Sequence, residues 1–142
     1  MENVRIYLSG AMSGISLEEQ TKWRMKLKDI ILYSDFEYVN KPIFFDPTQK
    51  YSCFENYHKS EREAFEYDLD YLRKSDLIVV NFNKPDSLGT AMELMLGKEL
   101  HIPIIGLNQN NEQIHPWLEW CCTRICDNFK ELVEHIVNFY LN

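Results

Sequence analysis

Leu77-Ile78-Val79-Val80-Asn81-Phe82 is followed, after Asn83-Lys84-Pro85-Asp86, by Ser87-Leu88-Gly89-Thr90-Ala91-Met92-Glu93. The first run is the most strand-like in the chain: short, apolar and rich in β-branched residues. The second opens a helix that the spacing carries to about Leu100, with Ser87 as its N-cap and Thr90 three residues on. Working outward, residues 103–107 read as another strand. Residues 129–140 carry Phe129, Leu132, Val133, Ile136, Val137 and Tyr140 as a full apolar helical stripe. Upstream, residues 60–75 are helical, and residues 36–45, interrupted by Pro42, suggest a strand ending in a loop that contains Asp46 and Pro47. Trp23, Leu27, Ile30 and Ile31 set a helix over 17–33, and residues 4–9 are a strand running straight into Gly10. Strands alternating with helices imply right-handed crossovers, hence an α/β fold with a parallel sheet and helices on both faces. Ligands of such folds bind beyond the carboxyl ends of the strands, which directs attention to 9–14, 83–93 and the loop near 46–57.

The chain has 142 residues, a length expected of one domain, with neither repeat nor linker. Its formal charge is −7, from 15 Lys plus Arg against 22 Asp plus Glu. That balance argues against a nucleic-acid polymer or an anionic membrane as partner. It leaves room for a small phosphorylated ligand, because helix starts supply local positive ends. No apolar run approaches the roughly 20 residues of a membrane span, and the N-terminus lacks a charged-then-apolar leader, so a cytoplasmic location is expected. Cys53, Cys121, Cys122 and Cys126 fit no common zinc spacing, and Cys122 and Cys126 are expected on one helical face as core residues. His58, His101, His115 and His135 are scattered and receive no chemical role.

Three segments carry candidate chemistry. Gly89 and Ala91 let a ligand approach the helix start at Ser87, and Glu93 projects from its second turn. Taken alone, this segment is better read as an ordinary capped helix with a solvated Glu. In the 60–75 helix, Phe65, Leu69 and Leu72 form the apolar stripe, with Asp68 on its flank, roughly 60° from Phe65. Glu63, Glu66 and Asp70 point to solvent. A carboxylate beside the core is costly unless paired or functional, and a hydrogen-bonded structural Asp satisfies the pattern as well. Asp76 has a structural role at the start of its strand. Tyr7-Leu8-Ser9-Gly10-Ala11-Met12-Ser13-Gly14 ends a strand in small residues, without the spacing of a dinucleotide fingerprint or a P-loop.

Taken in order, Tyr7–Gly14, Asp68-Leu69-Asp70-Tyr71-Leu72 leading to Ser75–Val80, and Pro85–Leu94 resemble the nucleoside 2-deoxyribosyltransferase superfamily. The likeness is strongest to its 2'-deoxynucleoside 5'-monophosphate N-glycosidase branch and spans residues 4 to about 107. It implies a flavodoxin-like fold and cleavage of the bond between base and sugar, with no cofactor or metal. By position, Glu93 matches the nucleophile, Asp68 the carboxylate that assists departure of the base, and Tyr7 a tyrosine near the nucleophile. Ser87 matches a phosphate-binding serine, and Gly10 and Gly89 match pocket glycines. Ser13 stands where the monophosphate hydrolases have an Arg. The 83–87 loop is one residue longer, and either Asp86 or Ser87 aligns with the base-recognising Asp of the transferases. The resemblance also implies a homodimer or larger homo-oligomer, for which Trp117, Trp120 and the last helix offer apolar surface, although core packing accounts for them equally well. The expected substrate is a nucleoside or nucleotide. Alternatives are base exchange, cleavage of a dinucleotide such as NAD, or nucleotide binding without chemistry. Asp68, beside the apolar stripe and a second carboxylate, is the group whose pKa is expected to rise.

Overall fold

The computed structural model describes residues 2–49 and 60–142. Cys53, His58 and the greater part of the loop near 46–57 lie outside the described residues. Among the described residues, five strands, β1 (Asn3–Gly10), β2 (Lys41–Phe45), β3 (Leu77–Asn81), β4 (Ile104–Leu107) and β5 (Arg124–Cys126), form one parallel sheet in the order β2-β1-β3-β4-β5. Around it lie α1 (Leu17–Tyr33), α2 (Glu61–Arg73), α3 (Leu88–Glu99), α4 (Pro116–Cys121) and α5 (Phe129–Tyr140). This is the doubly wound, flavodoxin-like order, in which the strand sequence reverses between β1 and β3. Among the described residues, no helix is long and apolar enough to cross a membrane.

Alternation along β1 divides the interior. Ile6 and Leu8 pack with Trp23, Leu27 and Ile31 of α1 and with Leu132, Val133, Ile136 and Val137 of α5. Tyr7 faces the other way, into a core shared with Leu72 of α2, Leu94 of α3, and Leu118 and Cys121 of α4. Side-chain caps start the helices where the sequence places Ser or Asn. Ser16, Ser60, Ser87 and Asn128 accept from the backbone N–H of Glu19, Glu63, Thr90 and Glu131 at 3.1, 3.2, 3.3 and 2.8 Å. Gly97 lets α3 lie close on the sheet, since a Cβ there would run into Ile78 Cδ1. That contact lies one turn beyond Glu93 and so sets the height of Glu93 above the strand ends.

The expected elements form, with four differences. The second strand covers only Lys41–Phe45 and contains Pro42, which is tolerated because β2 is an edge strand with no partner on its outer side. Phe65 is 60 % exposed, so the inward face of α2 is Leu72 with half-buried Leu69 rather than the full stripe. Cys122 and Cys126 share no helix: Cys122 ends α4 as its C-cap and Cys126 lies in β5. Cys121 and Cys126 nonetheless join the core, as small apolar side chains do. Finally, α4 and β5 are elements that the sequence pattern did not delimit. Asp76 has its structural role, accepting from Arg5 N–H at 2.9 Å.

Candidate functional site

The carboxyl ends of β1 and β3 meet the start of α3 at the reversal of strand order, and the charged interior of the protein is concentrated there. Tyr7 and Ser9, two residues apart on β1, are fully buried and point to the same face. The Tyr7 hydroxyl donates to Glu93 Oε2, and the Ser9 hydroxyl donates to Glu93 Oε1 at 3.0 Å. Glu93 thus has one donor on each carboxylate oxygen, both from a single rigid strand. It remains partly open as a residue while its carboxyl sits deep among protein atoms.

Burial pushes the Glu93 carboxyl up to about 7, with Asp68 adding to the rise, while the hydrogen bonds from Tyr7 and Ser9 and the charge of Arg24 oppose it. Burial likewise raises the Tyr7 phenol far above its ordinary value, helped by Glu93 and then Asp68, so Tyr7 is a donor throughout the physiological range. Asp68, half-buried on α2, lies within electrostatic reach of Glu93, Tyr7 and Arg24. Phe45 at the end of β2 stacks on Tyr7 with centroids 5.3 Å apart and on Tyr71 at 4.2 Å, and Tyr67 tilts against both Phe45 and Tyr71. Tyr67 and Tyr71 bracket Asp68 on α2, so this aromatic group ties its helix to the strand ends.

The remaining expected residues sit around this centre rather than in it. Gly10 is buried for a packing reason: a Cβ there would fall 3.1 Å from Trp23 Cζ2 and 3.4 Å from Arg24 Nη2. Gly89 is exposed, and a Cβ there would meet nothing within 4 Å, so the start of α3 faces open space. Ser87 caps α3, its oxygen accepting from Thr90 N–H at 3.3 Å and from the Thr90 hydroxyl at 3.1 Å, which leaves its own O–H to donate elsewhere. Ser13 and Asp86 are exposed in the loops after β1 and β3. The groove between α1 and α5, lined by Ile30, Phe36, Phe129 and Val133, shares no residue with this cluster.

Three further residues belong to the neighbourhood. Ser9 was legible as the residue two places from Tyr7 on the same strand face. Arg24 sits three and seven residues before Leu27 and Ile31, on their stripe, so a charge within an apolar helical face was the signal. Lys84 carries no sequence signal. Its ammonium reaches across from the loop after β3 to the Ser13 carbonyl at 3.2 Å. Gly14 allows this approach with φ at 79°, because a Cβ would run into Lys84 Nζ. The two loops at the sheet's carboxyl edge are thereby joined by a cation.

No protein-family model matches the chain, and no curated protein matches it by sequence. Solved structures do. A 2-deoxyribosyltransferase from Bacillus psychrosaccharolyticus superposes with a TM-score of 0.69 at 18% identity, covering 92% of this chain and 90% of that one. A conserved protein from Enterococcus faecalis V583 gives 0.71 at 14%, covering 94% and 96%. A CMP N-glycosidase from Clostridium botulinum gives 0.57 at 19%, covering 93% and 96%. Along nearly its whole length, the chain therefore has the α/β fold of a 2-deoxyribosyltransferase and of a CMP N-glycosidase.

Proposed function

We propose that this protein is an N-glycosyl hydrolase that cleaves the base–sugar bond of a (deoxy)nucleoside 5'-monophosphate, with Glu93 as nucleophile. The observation that carries this reading is the Tyr7–Glu93–Ser9 arrangement, a carboxyl held at both oxygens by β1 and facing a second carboxylate, Asp68. The bond from C1' to the base nitrogen breaks through an oxocarbenium-like state, and its electron pair leaves with the base. Asp68 gives that nitrogen a proton, and the Glu93 carboxylate closes on C1' as a glycosyl ester. Water then attacks the ester, Asp68 takes its proton back, and sugar phosphate leaves with Glu93 restored. A cationic transition state favours the ionised form of Glu93, offsetting the burial that raises its pKa.

The open start of α3 with the free O–H of Ser87, and Lys84 beside Ser13, supports an anionic group at the mouth. Lys84 brings a positive charge to the loop in which Ser13 stands at the place of the expected Arg.

The test is incubation with a panel of nucleoside monophosphates, with free base and sugar phosphate resolved by chromatography. Glu93→Ala is expected to lower base release by at least about 10³-fold, as removal of a covalent nucleophile does. Release at the wild-type rate would sink the assignment. Adding a second free base separates the alternatives: exchange identifies a deoxyribosyltransferase, and nucleotide binding without release identifies a binding module.

A further inference from the structure

Arg24 is fully buried in α1 among Trp23, Leu27 and Ile31, with its guanidinium 4.8 Å from the centre of the Trp23 ring. A buried cation is costly unless its donors and its charge are answered. The register of the sheet shows what answers this one. Odd-numbered carbonyls of β1 turn toward β3, as Arg5 does in accepting from Asp76 N–H at 2.8 Å; even-numbered ones turn toward β2, as Glu2 does in accepting from Lys41 N–H at 2.8 Å. β2 ends at Phe45, opposite Tyr7, whereas β1 continues beside β3 to Gly10. The carbonyls of Leu8 and Gly10 therefore face an edge where the neighbouring strand has stopped. Arg24 takes its place: Nε donates to Leu8 O and Nη2 to Gly10 O, each at 3.2 Å, while Nη1 donates to Gln20 O. Asp46, the residue after β2, supplies the counter-charge with Oδ1 at 3.8 Å from Arg24 Nε. Lys28 Nζ at 2.8 Å and the N–H of Thr48 at 2.9 Å hold Asp46 in turn.

The two carbonyls that Arg24 binds flank Ser9. We propose that Arg24 is a positioning residue of the glycosidic site, fixing the unpaired end of β1 so that Ser9 and Tyr7 meet the Glu93 carboxyl. This rests on the reading of Glu93 as the working carboxylate. It has an electrostatic consequence as well, because the guanidinium favours the Glu93 anion. Among the described residues, the charged and titratable groups that act on Glu93 are Tyr7 of β1, Asp68 of α2 and Arg24 of α1, and Asp46 from the end of β2 acts on Arg24.

The experiment compares wild type with Arg24→Gln, Arg24→Lys and the double variant Arg24→Gln/Asp46→Asn. The double variant is included because removing one member of a buried pair strands the other. Titration of Glu93 is followed by NMR on protein with ¹³C-labelled glutamate, its resonance assigned by its loss in Glu93→Gln, and base release is measured alongside. In the folded variants lacking the guanidinium charge, Glu93 is expected to titrate at higher pH. Their kcat is expected to fall about ten- to hundredfold, with KM changed less than about threefold. Arg24→Lys keeps the charge but not the fork that spans two carbonyls, so it is expected to hold the wild-type titration and recover only part of kcat. A folded Arg24→Gln or double variant with wild-type titration and kcat would overturn the proposal, as would a kcat loss that only tracks the folded fraction. If neither neutral variant folds, Arg24→Lys decides, and an unchanged kcat there overturns it. A wild type that releases no base from any nucleotide refutes the function, while the Glu93 titration still judges Arg24.

Discussion

The face of the sheet under α1 and α5 and the face under α2, α3 and α4 are built from alternate residues of the same strands, yet they bury different things. Ile6, Leu8, Leu77, Val79, Ile105 and Leu107 meet an apolar stripe on each covering helix, and that core is closed. On the other face, Tyr7 and Ser9 are buried as fully as Ile6 and Leu8 but carry hydroxyls that end on Glu93. Outer surfaces do not separate the two: Leu17, Met25, Tyr33 and Phe139 are exposed on the helices of the first face, and Phe65, Leu88, Met92, Trp117 and Trp120 on those of the second. The first face is otherwise packed for stability, with Arg24 of α1 as a buried cation at the end of β1. The other holds an ionisable group in an environment that disfavours its charge, a strain of the kind found at functional sites.

Opening the closed face should have the largest effect. Leu132→Ala, at a fully buried position of α5, is expected to cost about 2–5 kcal/mol in chemical denaturation, because the rigid surround cannot collapse onto the cavity. Base release per folded molecule should stay at the wild-type level, and a change in kcat would mean the two faces are coupled. A smaller effect of opposite sign is expected at Glu93. Its carboxyl is raised from 4.5 to about 7, so the fold is favoured by the neutral form. Stability from this group is fully present below about pH 4.5 and is lost as pH rises through about 7, where ionising a buried carboxyl opposes folding. Glu93→Gln should therefore stabilise the protein above pH 7 by up to roughly 3 kcal/mol and leave it nearly unchanged at pH 4. Melting temperatures across that range check it, and an equal shift at both pH values would argue against a charge origin. The smallest effect sharpens the contrast within β1. Tyr7→Phe keeps the ring stacked on Phe45 but removes a donor from Glu93, and is expected to lower kcat by about tenfold. It should also move the acid limb of kcat/KM to higher pH, since the hydrogen bond it removes holds the Glu93 pKa down. A limb that moves to lower pH would contradict the donor role.

Much of this architecture was legible because it is local. The run Leu77–Asn81, the α5 stripe and the cap at Ser87 depend on residues a few positions apart, and each element forms where its pattern lies. Pro42 read as an interruption because its missing donor matters inside a sheet, but an edge strand has no outer partner to miss it. β5 was illegible for the opposite reason. Arg124-Ile125-Cys126 is too short to show a period and is a strand only because β4 offers an open edge, pairing Ile105 with Arg124 and Leu107 with Cys126.

The candidate site divides the same way. Tyr7, Asp68, Ser87 and Glu93 stood out from residue type and place in their segments, and the alternation of strands and helices already put them near the carboxyl ends of strands. That Ser9 joins Tyr7 on Glu93, 84 positions along the chain, follows from how α3 packs against β1 and could not be read locally. The raised pKa of Glu93 depends on that packing too, since the groups that act on its carboxyl come from β1, α1 and α2. The same holds for Arg24, whose partners Leu8, Gly10 and Asp46 come together because β2 stops where β1 goes on. Periodicity records how a segment meets its immediate surroundings. Where a strand ends relative to its neighbour is a property of the assembled sheet, and that is the property on which this site is built.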